Sequence, residues 1–127
     1  MENLPQISDS EWQVMKVIWS QTSCTANQVV QALAERTDWQ PKTVKTLINR
    51  LVNKAAIGFE IDREDKKTYH YFALVSETDC VRAESQSFLK RVFNGSPNIM
   101  LANFIKEYKL TPEDIDELKR ILDEKKD

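Results

Sequence analysis

Glycine, proline and cysteine are all scarce in this chain: two, four and two among 127 residues. So few glycines and prolines exclude a linker-rich chain and a sandwich or barrel of many tight turns. Cys24 and Cys80 are too few and too far apart for a disulfide scaffold or a metal knuckle, and reduced thiols in the cytoplasm are expected. His70 is the only histidine, so no dyad or metal set with two imidazoles can be built; a structural or wing-surface role suits it. There is no glycine-rich phosphate loop, no metal-ligand spacing and no nucleophile-base pair, which argues against an enzyme, a cofactor or a bound metal. The neighbouring acids Glu113 and Asp114 read as first-turn helix charges. No apolar run approaches the roughly 18 residues of a membrane span. The opening MENLPQISDSE has neither the basic region nor the apolar stretch of an export signal.

What is present is an ordinary globular composition, 41% hydrophobic and 30% charged, with a net charge of −2. The distribution of charge says more than the sum. Residues 1–75 hold nine basic and nine acidic side chains, and residues 76–127 nine and eleven. Pro41 to Lys54 holds four basic residues and no acid. A locally basic segment on a neutral body suits nucleic acid with less indiscriminate attraction than a uniformly basic protein.

That segment, WQPKTVKTLINRLVNK from Trp39, reads as a helix. Pro41 suits the first helical position, and Trp39 and Val44 have the spacing of a hydrophobic staple. Val44, Leu47, Ile48 and Leu51 make one apolar stripe. The other face carries Lys42, Thr43, Lys45, Thr46, Asn49 and Arg50, groups that match phosphates and base edges.

Two capped helices precede it. Ser8 and Glu11 have capping-box spacing, with Ile7 placed to staple onto Trp12, and Trp12, Met15, Ile18 and Trp19 share a face. Thr25 and Gln28 repeat the spacing ahead of Val29, Val30 and Leu33. Together the three form a helix-turn-helix arrangement. Extended patterns follow: Ile57–Asp62, a charged loop Arg63–Lys67, and the aromatic run Thr68–Leu74. Two strands behind a recognition helix make a wing. Arg63, Lys66 and Lys67 at its tip are placed for phosphate, although Glu64 and Asp65 beside them oppose it. The plainer alternative is a hairpin that only covers the edge of the core.

Three more helices are expected. The fourth starts at Ser76 and ends at Asn94-Gly95, the fifth starts at Ser96-Pro97, and the sixth at Thr111-Pro112, with the charged end Asp123–Asp127 frayed. Their apolar residues are plentiful for so short a segment: Phe88, Leu89 and Val92 on the fourth, Met100, Leu101, Phe104 and Ile105 on the fifth, Ile115, Leu118 and Leu122 on the sixth. About 50 residues bury too little surface alone, so these positions are expected to form a two-fold interface with a second copy; packing on the chain's own winged domain is the alternative. The expected fold is mainly α with a small β-wing: a winged helix-turn-helix over 1–75 and a three-helix dimerisation region over 76–127.

With these parts in place the chain resembles the penicillinase-repressor (BlaI/MecI) family of bacterial regulators. The carrying segments are ISDSEWQVMKVIW, WQPKTVKTLINRLVNK, KTYHYF, ESQSFLKRVFNGS and NIMLANFIKE, in the family's order over nearly the whole length. The resemblance implies a homodimeric repressor on a palindromic operator of double-stranded DNA, controlling β-lactamase or penicillin-resistance genes. It also implies a membrane sensor-transducer metalloprotease as a partner, and inactivation by a cut at the bond matching Asn103-Phe104. A sister branch senses copper through a cysteine-rich tail; the end KRILDEKKD lacks cysteine, which argues against direct copper sensing while leaving a copper operon as an alternative target. The glycine common before the first wing strand is replaced around Ala55-Ala56, with Gly58 slightly later. From another class, the competing reading is a winged-helix module whose basic helix meets an acidic protein.

Overall fold

Capping chemistry sets where the helices begin. α1 (Asp9–Trp19) opens on a capping box: the Glu11 amide donates to Ser8 Oγ at 3.2 Å and the Ser8 amide to Glu11 Oε1 at 2.9 Å. Thr25 and Gln28 do the same for α2 (Ala26–Ala34). α3 (Pro41–Asn53) has Pro41 in its first turn behind Gln40, whose side chain makes no cap bond. β1 (Ile57–Ile61) and β2 (Tyr69–Ala73) pair antiparallel, with Phe59 opposite Tyr71 and Ile61 opposite Tyr69. α4 (Glu77–Phe93), α5 (Pro97–Glu107) and α6 (Pro112–Glu124) complete the order. The structure is a computed structural model; residues 4–126 are described, and Met1–Asn3 and Asp127 lie outside them.

Two compact units divide between Ala83 and Glu84. The division falls inside α4, whose start is fastened to the first unit. Lys16 Nζ reaches Glu77 Oε2 at 2.6 Å, and Cys80 is buried.

In the first unit the core is Met15, Ile18, Val29, Leu33, Ile48 and Leu51 with their neighbours. The buried side of α1 differs from the expected stripe. Val14, Met15, Val17 and Ile18 are buried, whereas Trp12 and Trp19 stay partly exposed. The indoles stand at the edge, 5.4 Å apart, where the Trp19 N–H can donate to the Val75 carbonyl at 2.9 Å. An indole buried outright would need that partner inside the core.

Backbone bonds seat the wing. Cys24 and Tyr71 exchange amide–carbonyl bonds of 3.0 and 2.7 Å, so the loop between α1 and α2 borders the hairpin as a short third strand. At the other end, α3 runs into β1 through a left-handed turn at Ala55, φ 62°. The Ala56 amide donates to the Leu51 carbonyl and the Ala55 amide to Val52, both at 3.0 Å. This is the helix stop that usually takes glycine; here alanine holds it. Gly58 lies under a close contact. The Phe72 ring lies across it, and a Cβ there would stand 3.1 Å from two ring carbons.

The second unit is unlike the first. Phe88, Phe93, Phe104 and Tyr108 form an aromatic cluster with centroids 5.8 to 6.4 Å apart. Yet no residue from Glu84 to Lys126 is buried. Asn94 and Gly95, both at positive φ, end α4. Thr111 and Asp114 make a capping box for α6. The expected frayed end begins later than Asp123, since α6 continues through Glu124, which Arg120 Nη1 meets at 2.9 Å.

Candidate nucleic-acid interface

α3 separates its two faces completely. Val44, Leu47, Ile48 and Leu51 are buried, while Lys42, Thr43, Lys45, Thr46, Asn49 and Arg50 are exposed. Among the described residues, none of Lys42, Lys45, Arg50, Arg63, Lys66 and Lys67 is in an ion pair, so each cation is available to an external anion. Thr46 is partly committed: its hydroxyl donates to the Lys42 carbonyl at 3.0 Å.

The fourth basic residue of the segment, Lys54, points the other way. Its Nζ meets Glu11 Oε1 at 2.5 Å and donates to the Gln6 carbonyl at 2.8 Å. Glu11 is 1% exposed. Burial pushes its carboxyl up, but the Lys54 ammonium and the Ser8 amide and hydroxyl outweigh that and hold it below its ordinary range. The pair ties the end of α3 to the start of α1, fixing the rotation at which α3 presents its outer face.

At the wing tip two acids, Asp62 and Asp65, work locally, while Glu64 stays exposed beside the cations. Asp62 accepts amides of Glu64 and Asp65, and Asp65 accepts the amides of Lys67 and Thr68 and the Thr68 hydroxyl. Those bonds lower both carboxyls. They shape the turn in which Lys66 adopts φ 55°. Asp62 and Asp65 are thus spent on the loop, leaving Arg63, Lys66 and Lys67 exposed around it. His70 Nε2 stands 3.0 Å from Asp62 Oδ2, bracing the base of the tip. Both cysteines are buried free thiols whose pKa burial pushes up, making them inert as nucleophiles.

Between α3, the first turn of α2 and β2 lies a groove of about 410 Å³. Lys45 and Asn49 line it from α3, Lys67, Thr68 and Tyr69 from the wing, and Asn27 from α2. Of these, Asn27, Thr68 and Tyr69 were not among the residues expected from the sequence. Only the tertiary fold brings α2's first turn beside the wing, and no local pattern marks it.

The positions expected to pair two copies are open to different degrees. Phe88, Leu89, Met100 and Leu118 are half-buried within their own unit. Val92, Leu101, Phe104, Ile105, Ile115 and Leu122 are exposed, as are Ile99, Tyr108 and Ile121. Asn103 and Phe104 sit within α5, so the bond between them is helical.

Comparison with known proteins accords with this geometry. A sequence profile described as penicillinase repressor matches residues 7–124. The Bacillus licheniformis penicillinase repressor is 39% identical over 99% of this chain and 96% of its own length. The methicillin resistance regulatory protein MecI of Staphylococcus aureus (strain N315) is 37% identical over 94% of this chain and 95% of its own length. The solution structure of monomeric B. licheniformis BlaI with the blaP half-operator is 37% identical, with a TM-score of 0.53, and the match covers 62% of this chain and 93% of that one. A profile match over so much of the length, on a chain whose capped helices, acid-free third helix and hairpin are all in place, means that the chain belongs to the penicillinase repressor family.

Proposed function

We propose that the chain is a transcriptional repressor that binds a palindromic operator as a homodimer in the cytoplasm and controls β-lactam-resistance genes. The observation that carries the reading is the acid-free outer face of α3, with every side chain exposed and its cations unpaired. Each copy lays α3 in a major groove, and the two copies meet half-sites about one or more duplex turns apart, about 34 Å each. Lysines set the register on phosphates, and Thr43, Thr46 and Asn49 are the candidates for reading base edges.

Dimerisation is supported by the second unit, where apolar side chains stay uncovered in a single chain. A two-fold partner supplies the missing cover. The same unit holds the switch: a membrane metalloprotease responding to the antibiotic cuts Asn103-Phe104, which severs α5 and detaches α6. A bond inside a helix is a poor protease substrate, so local opening of α5 precedes the cut. A repressor carrying Asn103→Asp is expected to resist cleavage and stay on its operator.

The test of DNA binding is a gel shift with the duplex upstream of the chain's own gene, against a scrambled duplex, across salt. Preference for the first, with affinity falling linearly on a log–log salt plot, is expected. Binding that is insensitive to salt, or that ignores sequence, favours an interaction module for acidic proteins.

A further inference from the structure

Glu11 and Lys54 stand at two helix ends where their charges are already favoured. Glu11 lies in the first turn of α1 and Lys54 is the C-cap of α3, so each meets the stabilising pole of its own helix dipole. One oxygen, Glu11 Oε1, accepts from both the Ser8 amide and the Lys54 ammonium. The same ammonium donates to the Gln6 carbonyl. A single point therefore holds the chain ahead of α1, the start of α1 and the end of α3. The start of α3 has no counterpart: Gln40 makes no side-chain cap bond, and Trp39 ahead of it is held by packing against the core.

An ion pair of this kind is a poor device for stability alone. Desolvating the two charges offsets much of their attraction, and apolar residues of similar volume serve as well or better. What the pair supplies is direction. The stripe Val44, Leu47, Ile48 and Leu51 is buried, but apolar burial is non-directional and tolerates a small turn of the helix about its axis. A turn of about 15° carries side-chain ends on the outer face, roughly 5–6 Å from the axis, through about 1.5 Å. A hydrogen bond to a base edge tolerates only about 0.5 Å of change. A lysine on its long flexible stem follows a phosphate through the same displacement.

We propose that Glu11 and Lys54 are positioning residues for operator discrimination. They touch no DNA; they set the rotation of α3 at which its short polar side chains, Thr43, Thr46 and Asn49, meet base edges. The assignment rests on the repressor reading and adds to it a division of labour: the pair behind the reading face governs selectivity, and the exposed cations govern general affinity.

The experiment uses the full chain and fluorescence anisotropy with own-promoter and scrambled duplexes across salt, beside urea unfolding of each variant. The informative variant joins Glu11→Gln to Lys54→Met. It leaves the net charge unchanged and strands no ion, and glutamine keeps the acceptor that the capping box needs. Its preference for the own-promoter duplex is expected to fall about tenfold, the worth of about one base contact. Affinity for the scrambled duplex and the salt slope should stay as in the parent, and the urea midpoint should stay close to the parent's. Glu11→Gln alone, in which the partly exposed Lys54 ammonium can turn to solvent, should lose preference in the same direction, and it carries the test if the double variant does not fold. Undiminished preference in a folded variant of a selective parent removes this inference and leaves the repressor reading intact. Equal weakening on both duplexes, tracking a lowered urea midpoint, means that the pair only holds the fold, and overturns the inference too. A parent chain that prefers neither duplex strikes the repressor reading itself.

Discussion

Lys54 and Glu11 show how much one charge pair can decide. Glu11 has no water to turn to, so removing its partner strands a carboxylate in the core. Lys54→Met is expected to cost about 3 kcal/mol in urea unfolding, at the low end for such pairs because Lys54 itself stays about a third exposed. The pH dependence has a definite sign. The folded Glu11 carboxyl lies below its ordinary value of about 4.5, so its contribution is fully present above that value and is lost as pH falls through the folded pKa. Acid unfolding should therefore steepen below about pH 4.5, and Glu11→Gln should flatten that limb. Ala55 works in the opposite sense. A left-handed alanine costs roughly 1–2 kcal/mol, part of which glycine returns as unfolded-state entropy. Ala55→Gly is expected to raise stability by about 0.5–1 kcal/mol, against the usual direction of an alanine-to-glycine change. A lowered unfolding midpoint would mean that the turn is not held as described.

At the scale of elements, α3 divides its work by residue type. Lys42→Ala should weaken cognate and scrambled DNA alike and reduce the salt slope by roughly 0.9. Asn49→Ala should instead reduce the preference for the operator, by about 1–3 kcal/mol if the amide reads a base, with the slope unchanged. Anisotropy titrations at several salt concentrations separate the two. The helix starts were legible in the sequence because capping is local: Ser8 with Glu11, Thr25 with Gln28 and Thr111 each find their partners three residues on. The stripe of α3 was legible for the same reason, since one surface buries it. The stripe of α1 was legible only in part: Met15 and Ile18 are buried and Trp19 packs against the core, but Trp12 does not and Val14 and Val17 do, because large aromatic rings look like core in any periodicity. Trp12 and Trp19 lie instead at the rim, where a backbone carbonyl and a lysine can reach them.

The whole molecule poses the question of what covers Glu84–Lys126, where nothing is buried within a single chain. A second copy is our answer, and Ile105→Glu tests it. Ile105 is 50% exposed, so the change leaves the fold of one copy little affected. Analytical ultracentrifugation should report a monomer, and operator affinity should drop by roughly 10²–10⁴ as the linked half-sites separate. A dimer of undiminished affinity would place the interface elsewhere.

By itself the sequence determined what depends on neighbours a few residues apart: the helix starts, the acid-free face of α3, the charged wing tip and the surplus of apolar residues near the end. Tertiary structure alone decided that Lys54 turns inward to Glu11, that Cys24 borders the wing, that α4 begins within the first unit, and that Asn27 and Tyr69 share a groove with Lys45. Those pairings join residues about 20 to 60 positions apart, and chain closure between such partners is selected by burial and hydrogen bonding in the assembled core, which no short window of sequence contains.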